Sequence, residues 1–156
     1  MHPVEARKRM AHDCQAEKVV AALAVSGVEN DLTFLRGVFR DAGWSLCEAR
    51  TLASGLILVK NRPLDLVITS RDLPDGGWRE MLRALQHLPV PLPLVVTARL
   101  ADEYLWAEVL HEGGYDVLAQ PFAQEEVLRV ISAAARRSHN ACHQARHPSL
   151  TFTAGI

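Results

Sequence analysis

PLDLVITSRDLPDGGW, residues 63–78, is the stretch that decides the fold. Leu66, Val67, Ile68 and Thr69 follow one another without a charged residue, so the segment reads as a short strand buried on both faces. Ser70 ends it, and Asp72, Pro74, Asp75, Gly76 and Gly77 crowd the turn that follows, residue types that favour a chain reversal. A strand covered on both faces belongs to a parallel sheet, and in open parallel sheets ligands gather at the carboxyl ends of the strands. Ser70 stands at that point, and what it does there is the functional question.

Outward from this stretch, strand-length apolar runs alternate with helical patterns five times. Lys18 to Val25 is the first strand. Asp31 to Ala42 is the first helix, with Leu32, Leu35, Val38 and Phe39 on one stripe and Gly43 as its stop. Trp44 to Ala49 is a weaker second strand, and Thr51 caps a helix that reaches Asn61. Trp78 to Leu88 is the third helix, carrying Met81, Leu82 and Leu85. Prolines 89, 91 and 93 end it and lead into the strand Leu94 to Thr97. Asp102 to Glu112 is the fourth helix, closed by Gly113-Gly114. Asp116 to Ala119 is the fifth strand and Gln124 to Arg137 the last helix. Five such units predict an α/β fold, a doubly wound five-stranded parallel sheet with helices on both faces. Right-handed crossovers then set the ligand crevice beside the topological switch point.

Composition narrows the classes. Of 156 residues, 49% are hydrophobic and 22% charged, with a formal net charge of -1. One core-forming domain with extensions fits that size, and no global basic field draws nucleic acid or an anionic membrane. Cys14, Cys47 and Cys142 are scattered without a CxxC pair and read as reduced thiols of a cytoplasmic protein. Residues 1–17 are charged and lack the apolar centre of a secretory signal, and no uncharged run nears the roughly 18 residues of a spanning helix. The expected division is an N-terminal extension (1–17), a domain (18–137) and a C-terminal tail (138–156). The tail extends the last helix for a turn or two before Pro148. Its His139, Cys142, His143 and His147 fit no zinc spacing and read as solvated polar residues.

The residues just past the first, third, fourth and fifth strands are Ser26 and Gly27, Ser70, Thr97, and Gln120 before Pro121. All are neutral. No carboxylate pair stands there for acid–base work or for a hard cation. No histidine is placed to activate Ser70, and a hydroxyl without a base is a poor nucleophile. Ser70 is expected to bond nearby backbone. Ser26 or Asn30 is expected to cap the first helix, and Glu29 and Asp31 to sit on its positive end. Asp72 and Asp75 are expected to bond within their own turn. On the fourth helix, Tyr104 and Trp106 cannot both point into the core, and an exposed aromatic there marks an interface.

The order and spacing of these units resemble the receiver domain of two-component response regulators over residues 18 to 137. PLDLVITSRDLPDGGW resembles the family's third strand and loop, with Leu73-Pro74 in place. PLVVTAR, residues 93–99, resembles its fourth strand. GGYDVLAQPFAQEEVLRVI, residues 113–131, resembles its fifth strand, its Lys-Pro junction with a typically cis peptide, and its last helix. The resemblance implies a CheY-like, flavodoxin-like sheet with strand order 2-1-3-4-5. It also implies site roles, and this sequence departs from most of them. The position of the phosphate-accepting aspartate holds Ser70, the magnesium-binding acidic pair falls at Ser26 and Gly27, the lysine at Gln120 and the aromatic switch residue at Val117. Thr97, where the family's hydroxyl contacts the phosphoryl group, and Pro121 match. The family's glycine four residues after Pro74 is Trp78 here.

These departures fit together physically. An acyl phosphate forms only on a carboxylate, and magnesium needs anionic oxygens. Without the carboxylates a lysine at 120 would be a cation stripped of partners, and losing both halves of a buried charge pair costs less than losing one. The resemblance therefore implies a degenerate receiver. Its vestigial phosphorylation site is Ser26, Gly27, Ser70, Thr97, Gln120 and Pro121, with no metal, no cofactor and no enzymatic activity. The expected function is stand-alone signalling by protein contact, since only 19 residues follow Arg137. The expected partner is a histidine kinase, another regulator or a second copy, met by the face of the fourth helix, fifth strand and fifth helix, with no nucleic acid or membrane partner. An alternative is a domain that binds a small molecule or anion, such as a flavin or nucleotide, in the neutral crevice. Rival assignments give metal binding to Glu29 or Asp72, or make Ser70 an enzyme's nucleophile.

Overall fold

The computed structural model describes residues 19–146. The expected extension 1–17 and His147 lie outside the described residues, as do the side chains of Cys142 and His143. The elements run β1 (Ala21–Val25), α1 (Glu29–Ala42), β2 (Ser45–Ala49), α2 (Leu52–Asn61), β3 (Leu66–Ser70), α3 (Trp78–Gln86), β4 (Leu94–Ala98), α4 (Glu103–Glu112), β5 (Asp116–Ala119) and α5 (Gln124–Arg146). A short antiparallel ribbon, Asp72–Leu73 against Gly76–Gly77, fills the loop between β3 and α3.

The five strands pair in parallel in the order β2-β1-β3-β4-β5. This is the flavodoxin-like order expected, with the switch point between β1 and β3. Residues alternate between two cores because successive side chains point to opposite faces. Leu66 and Ile68 pack with Leu32, Leu35, Phe39 and Ile131 beneath α1 and α5. Val67 packs with Met81, Leu85, Val96 and Val109 beneath α3 and α4. Trp78, in the place of the family's glycine, is itself a core residue at 3% exposure and opens α3.

α1 and α3 differ from expectation at their ends. α1 begins at Glu29, and its N-cap is Val28, which makes no side-chain cap bond. α3 stops at Gln86, where the His87 Nδ1 lies 2.6 Å from the Arg83 carbonyl oxygen. α5 runs past Arg137 to Arg146, the extension expected before Pro148. Its extension meets the foot of the sheet. There Asp65 Oδ2 accepts the Ala21 N–H at 2.9 Å, and His139 Nε2 lies 3.1 Å from Asp65 Oδ1. Beside this pair is a cavity of about 260 Å³ lined by Arg62, Leu64, Leu88, Val90, Leu92 and Ser138. His139 is thus bonded and only partly exposed, not a solvated tail residue. No described helix is long and apolar enough to cross a membrane.

Candidate functional site at the carboxyl ends of the strands

The strand register brings the expected site residues to one edge of the sheet. Val25 stands opposite Thr69, and Ser70 opposite Thr97. The sheet pairing carries on past two strand ends, since the Ser26 N–H bonds the Ala49 carbonyl and the Gln120 N–H bonds the Ala98 carbonyl, both at 3.0 Å. Both residues are held by their backbones whatever their side chains do. The Gln120–Pro121 peptide is cis.

The hydroxyls at this edge are occupied differently from what the sequence leads one to expect. Ser26 does not cap α1 in the usual way. Its Oγ accepts the Val28 N–H at 3.1 Å, two residues on, and lies 3.2 Å from Asp31 Oδ2, a local turn that competes with capping. Ser70, half-buried, makes no side-chain hydrogen bond among the described residues. The hydroxyl that meets backbone is that of its neighbour, Thr69 Oγ1, donating to the Ser70 carbonyl at 3.1 Å. A pleated strand points these neighbours to opposite faces, so the two hydroxyls meet different surroundings. Thr97 is buried at 4%, and its carbonyl accepts the Arg71 N–H at 2.9 Å. Val117, where the resemblance implies an aromatic switch residue, is buried in the core with Val96, Leu105 and Val109. Gly27 faces Pro74, whose ring carbons lie 3.5 Å from where a Cβ would stand.

The nearby carboxylates are engaged elsewhere. Glu29 is ion-paired with Arg50 and lies 3.7 Å from Arg36. Arg36 makes two 2.7 Å bonds to Glu48; hydrogen bonding from Arg36 is the main reason the Glu48 carboxyl titrates below its ordinary range. Asp72 is exposed, 4.0 Å from Arg71. Asp75 corrects the sequence reading. Its main partners lie outside its turn, on α2, where it accepts the N–H groups of Leu52 at 2.7 Å and Ala53 at 3.0 Å. These backbone donors, Ala53 and then Leu52, lower its pKa. No local pattern signals a bond spanning 23 residues. Thr51 caps the same helix as expected, through a reciprocal box with Ser54.

A hard divalent cation needs several anionic oxygens. The crevice offers one carboxylate, Asp31, already bonded by the Ser26 hydroxyl, no side chain at Gly27, and the hydroxyls of Ser70 and Thr97. Among the described residues, no group of three or more His, Cys, Asp or Glu is arranged to hold a metal ion. The residues present do not fit magnesium.

On α4, Tyr104 is 82% and Trp106 51% exposed, with Leu100 just before the helix at 78%. Neither aromatic enters the core. Trp106 leans toward the edge strand, its Nε1–H donating to Asp116 Oδ1 at 3.0 Å.

No family model matches the chain. It is 33% identical over 104 residues to the KDP operon transcriptional regulatory protein KdpE of Escherichia coli, an alignment covering 67% of this chain and 46% of that protein. It is 32% identical over 114 residues to the swarming motility regulation protein RssB of Serratia marcescens, covering 70% and 52%. The chain spans about half the length of these curated relatives. Among solved structures, the signal receiver domain of an HD domain-containing protein from Pseudomonas fluorescens superposes with a TM-score of 0.70 at 26% identity, covering 79% of this chain and 99% of that one. The beryllofluoride-activated NtrC4 receiver domain dimer superposes at 0.69 with 19% identity, covering 76% and 98%, a likeness of fold.

Proposed function

We propose that this chain, whose homologues and structural neighbours are receiver domains of response regulators, is a degenerate receiver that signals by protein contact without aspartyl phosphorylation. One observation carries the reading: every position that would hold the metal or accept the phosphoryl group is uncharged, while the acids nearby are bonded to arginines, a serine or a helix start. A carboxylate is needed both for the acyl phosphate and for the cation that shields it. The protein is then a binding module and not an enzyme. Its contact surface is the α4–β5–α5 face, where Leu100, Tyr104 and Trp106 expose apolar area beside the edge strand. The partner is a signalling protein such as a histidine kinase or another regulator, or a second copy; the NtrC4 structure, of the same fold, is a receiver dimer.

The test is incubation with magnesium and acetyl phosphate, and separately with beryllofluoride, followed by intact mass and a hydroxylamine wash. The expected result is no added phosphate. A stoichiometric phosphoprotein that hydroxylamine cleaves overturns the reading. Size-exclusion with mass determination of the native complex, repeated on Trp106→Ala and Tyr104→Ala, tests the contact face.

A further inference from the structure

The loop between β3 and α3 is held to several elements at once. The Arg71 N–H bonds the Thr97 carbonyl of β4 at 2.9 Å, and the Trp78 N–H returns to the Arg71 carbonyl at 3.1 Å, closing the loop at its base. Above, Pro74 lies against Gly27. Asp75 then crosses to α2, one carboxylate oxygen on the Leu52 N–H and the other on the Ala53 N–H. Thr51 Oγ1 accepts the Ser54 N–H at 3.2 Å. The first three N–H groups of α2, which have no acceptor within the helix, are therefore all bonded. The approach is close. A Cβ on Gly76 would stand 2.6 Å from Leu52 Cδ2 and 3.0 Å from the Glu80 carboxylate, so the loop packs directly on the first turn of α2.

We propose that Asp75 is a strap that fixes the crevice loop on the start of α2 in a single position, making loop and helix end one static surface. The position is set inside the chain and not by a group bound at the strand ends. This inference rests on the functional reading above, because a strap that stays closed suits a crevice that does not change state.

Hydrogen–deuterium exchange on the full chain tests it. In Asp75→Ala, exchange at Leu52, at Ala53 and across residues 71–78 is expected to rise roughly tenfold, the scale of a lost cap, with β1 and β5 unchanged. Asp75→Asn, whose single carbonyl oxygen can accept one of the two bonds, should fall between. Unchanged exchange at α2 and the loop overturns the strap, and so does an equal rise throughout the sheet. The two proposals fail separately. Acetyl-phosphate labelling alongside the expected exchange pattern sinks the functional reading alone, and no labelling with unchanged exchange sinks the strap alone.

Discussion

At its amino end β3 is preceded by Asp65, whose carboxylate is shared between the Ala21 N–H and the His139 ring. At its carboxyl end it closes on Ser70, whose hydroxyl bonds nothing among the described residues. The fold type places ligands at the second end, yet the ionisable pair joining three elements is at the first. The foot ties β1, β3 and α5 together through groups that are mostly buried. The mouth carries neutral side chains held level by backbone bonds. Position in a fold sets where chemistry could sit, and the residues there decide whether it does.

The comparison breaks most visibly if the foot of β3 proves soft. Leu66 is fully buried in the core beneath α1 and α5, and Leu66→Ala is expected to cost about 2–5 kcal/mol, read as a lower urea midpoint with an unchanged slope. The polar pair beside it comes next. Asp65→Ala leaves the Ala21 N–H without its side-chain acceptor and His139 without its carboxylate, for a loss of about 1–3 kcal/mol. His139→Ala should cost less, because Asp65 keeps its bond to Ala21. A double-mutant cycle should show coupling between the two. Equal losses in the two single mutants would mean that the Ala21 bond contributes nothing.

This difference in strength also explains what the sequence could disclose. The strands were legible because a two-face-buried strand needs apolar residues at every position, as at Leu66–Ile68 and Leu94–Val96; their order was implied by the receiver resemblance alone. The neutral mouth was legible too, since each strand end can be named once the strand is placed. Bonds that depend on where elements meet in space were not legible. Asp75 reaches Leu52, His139 reaches Asp65, and Trp106 reaches Asp116. None of these pairs has a periodic spacing, and an aspartate in a Pro-Asp-Gly turn has an equally good local role. Ser26 shows the reverse error: a residue suited to capping was drawn into a tighter turn with Val28.

The next effect is confined to the mouth and depends on pH. The Asp75 pKa is lowered in the folded chain by the Ala53 and Leu52 N–H groups. A depressed carboxyl contributes stability that is fully present above its unfolded value, 3.8, and that is lost as pH falls through the lower folded value. Protection of Leu52 and Ala53 should therefore weaken selectively below about pH 4, before the sheet opens. In Asp75→Asn the same amides should show no such step. A step that survives in Asp75→Asn assigns the acid sensitivity to another group and removes Asp75 from the account.

The smallest expected effect lies at Ser70 itself. With no bond to lose, Ser70→Ala should change stability by less than about 0.5 kcal/mol, far below Leu66→Ala four residues away on the same strand. Ser70→Asp sharpens the point, since it supplies a carboxylate but nothing that would hold a cation or phosphoryl group beside it. Gly27 has no side chain, the Ser26 hydroxyl is already bonded to the Val28 N–H, and Gln120 supplies no positive charge. Magnesium and acetyl phosphate should leave Ser70→Asp unlabelled. Robust, magnesium-dependent labelling of that single mutant would show that the crevice can bind a cation, with Asp31 beside Ser26, and would overturn the proposal that this edge cannot support phosphorylation.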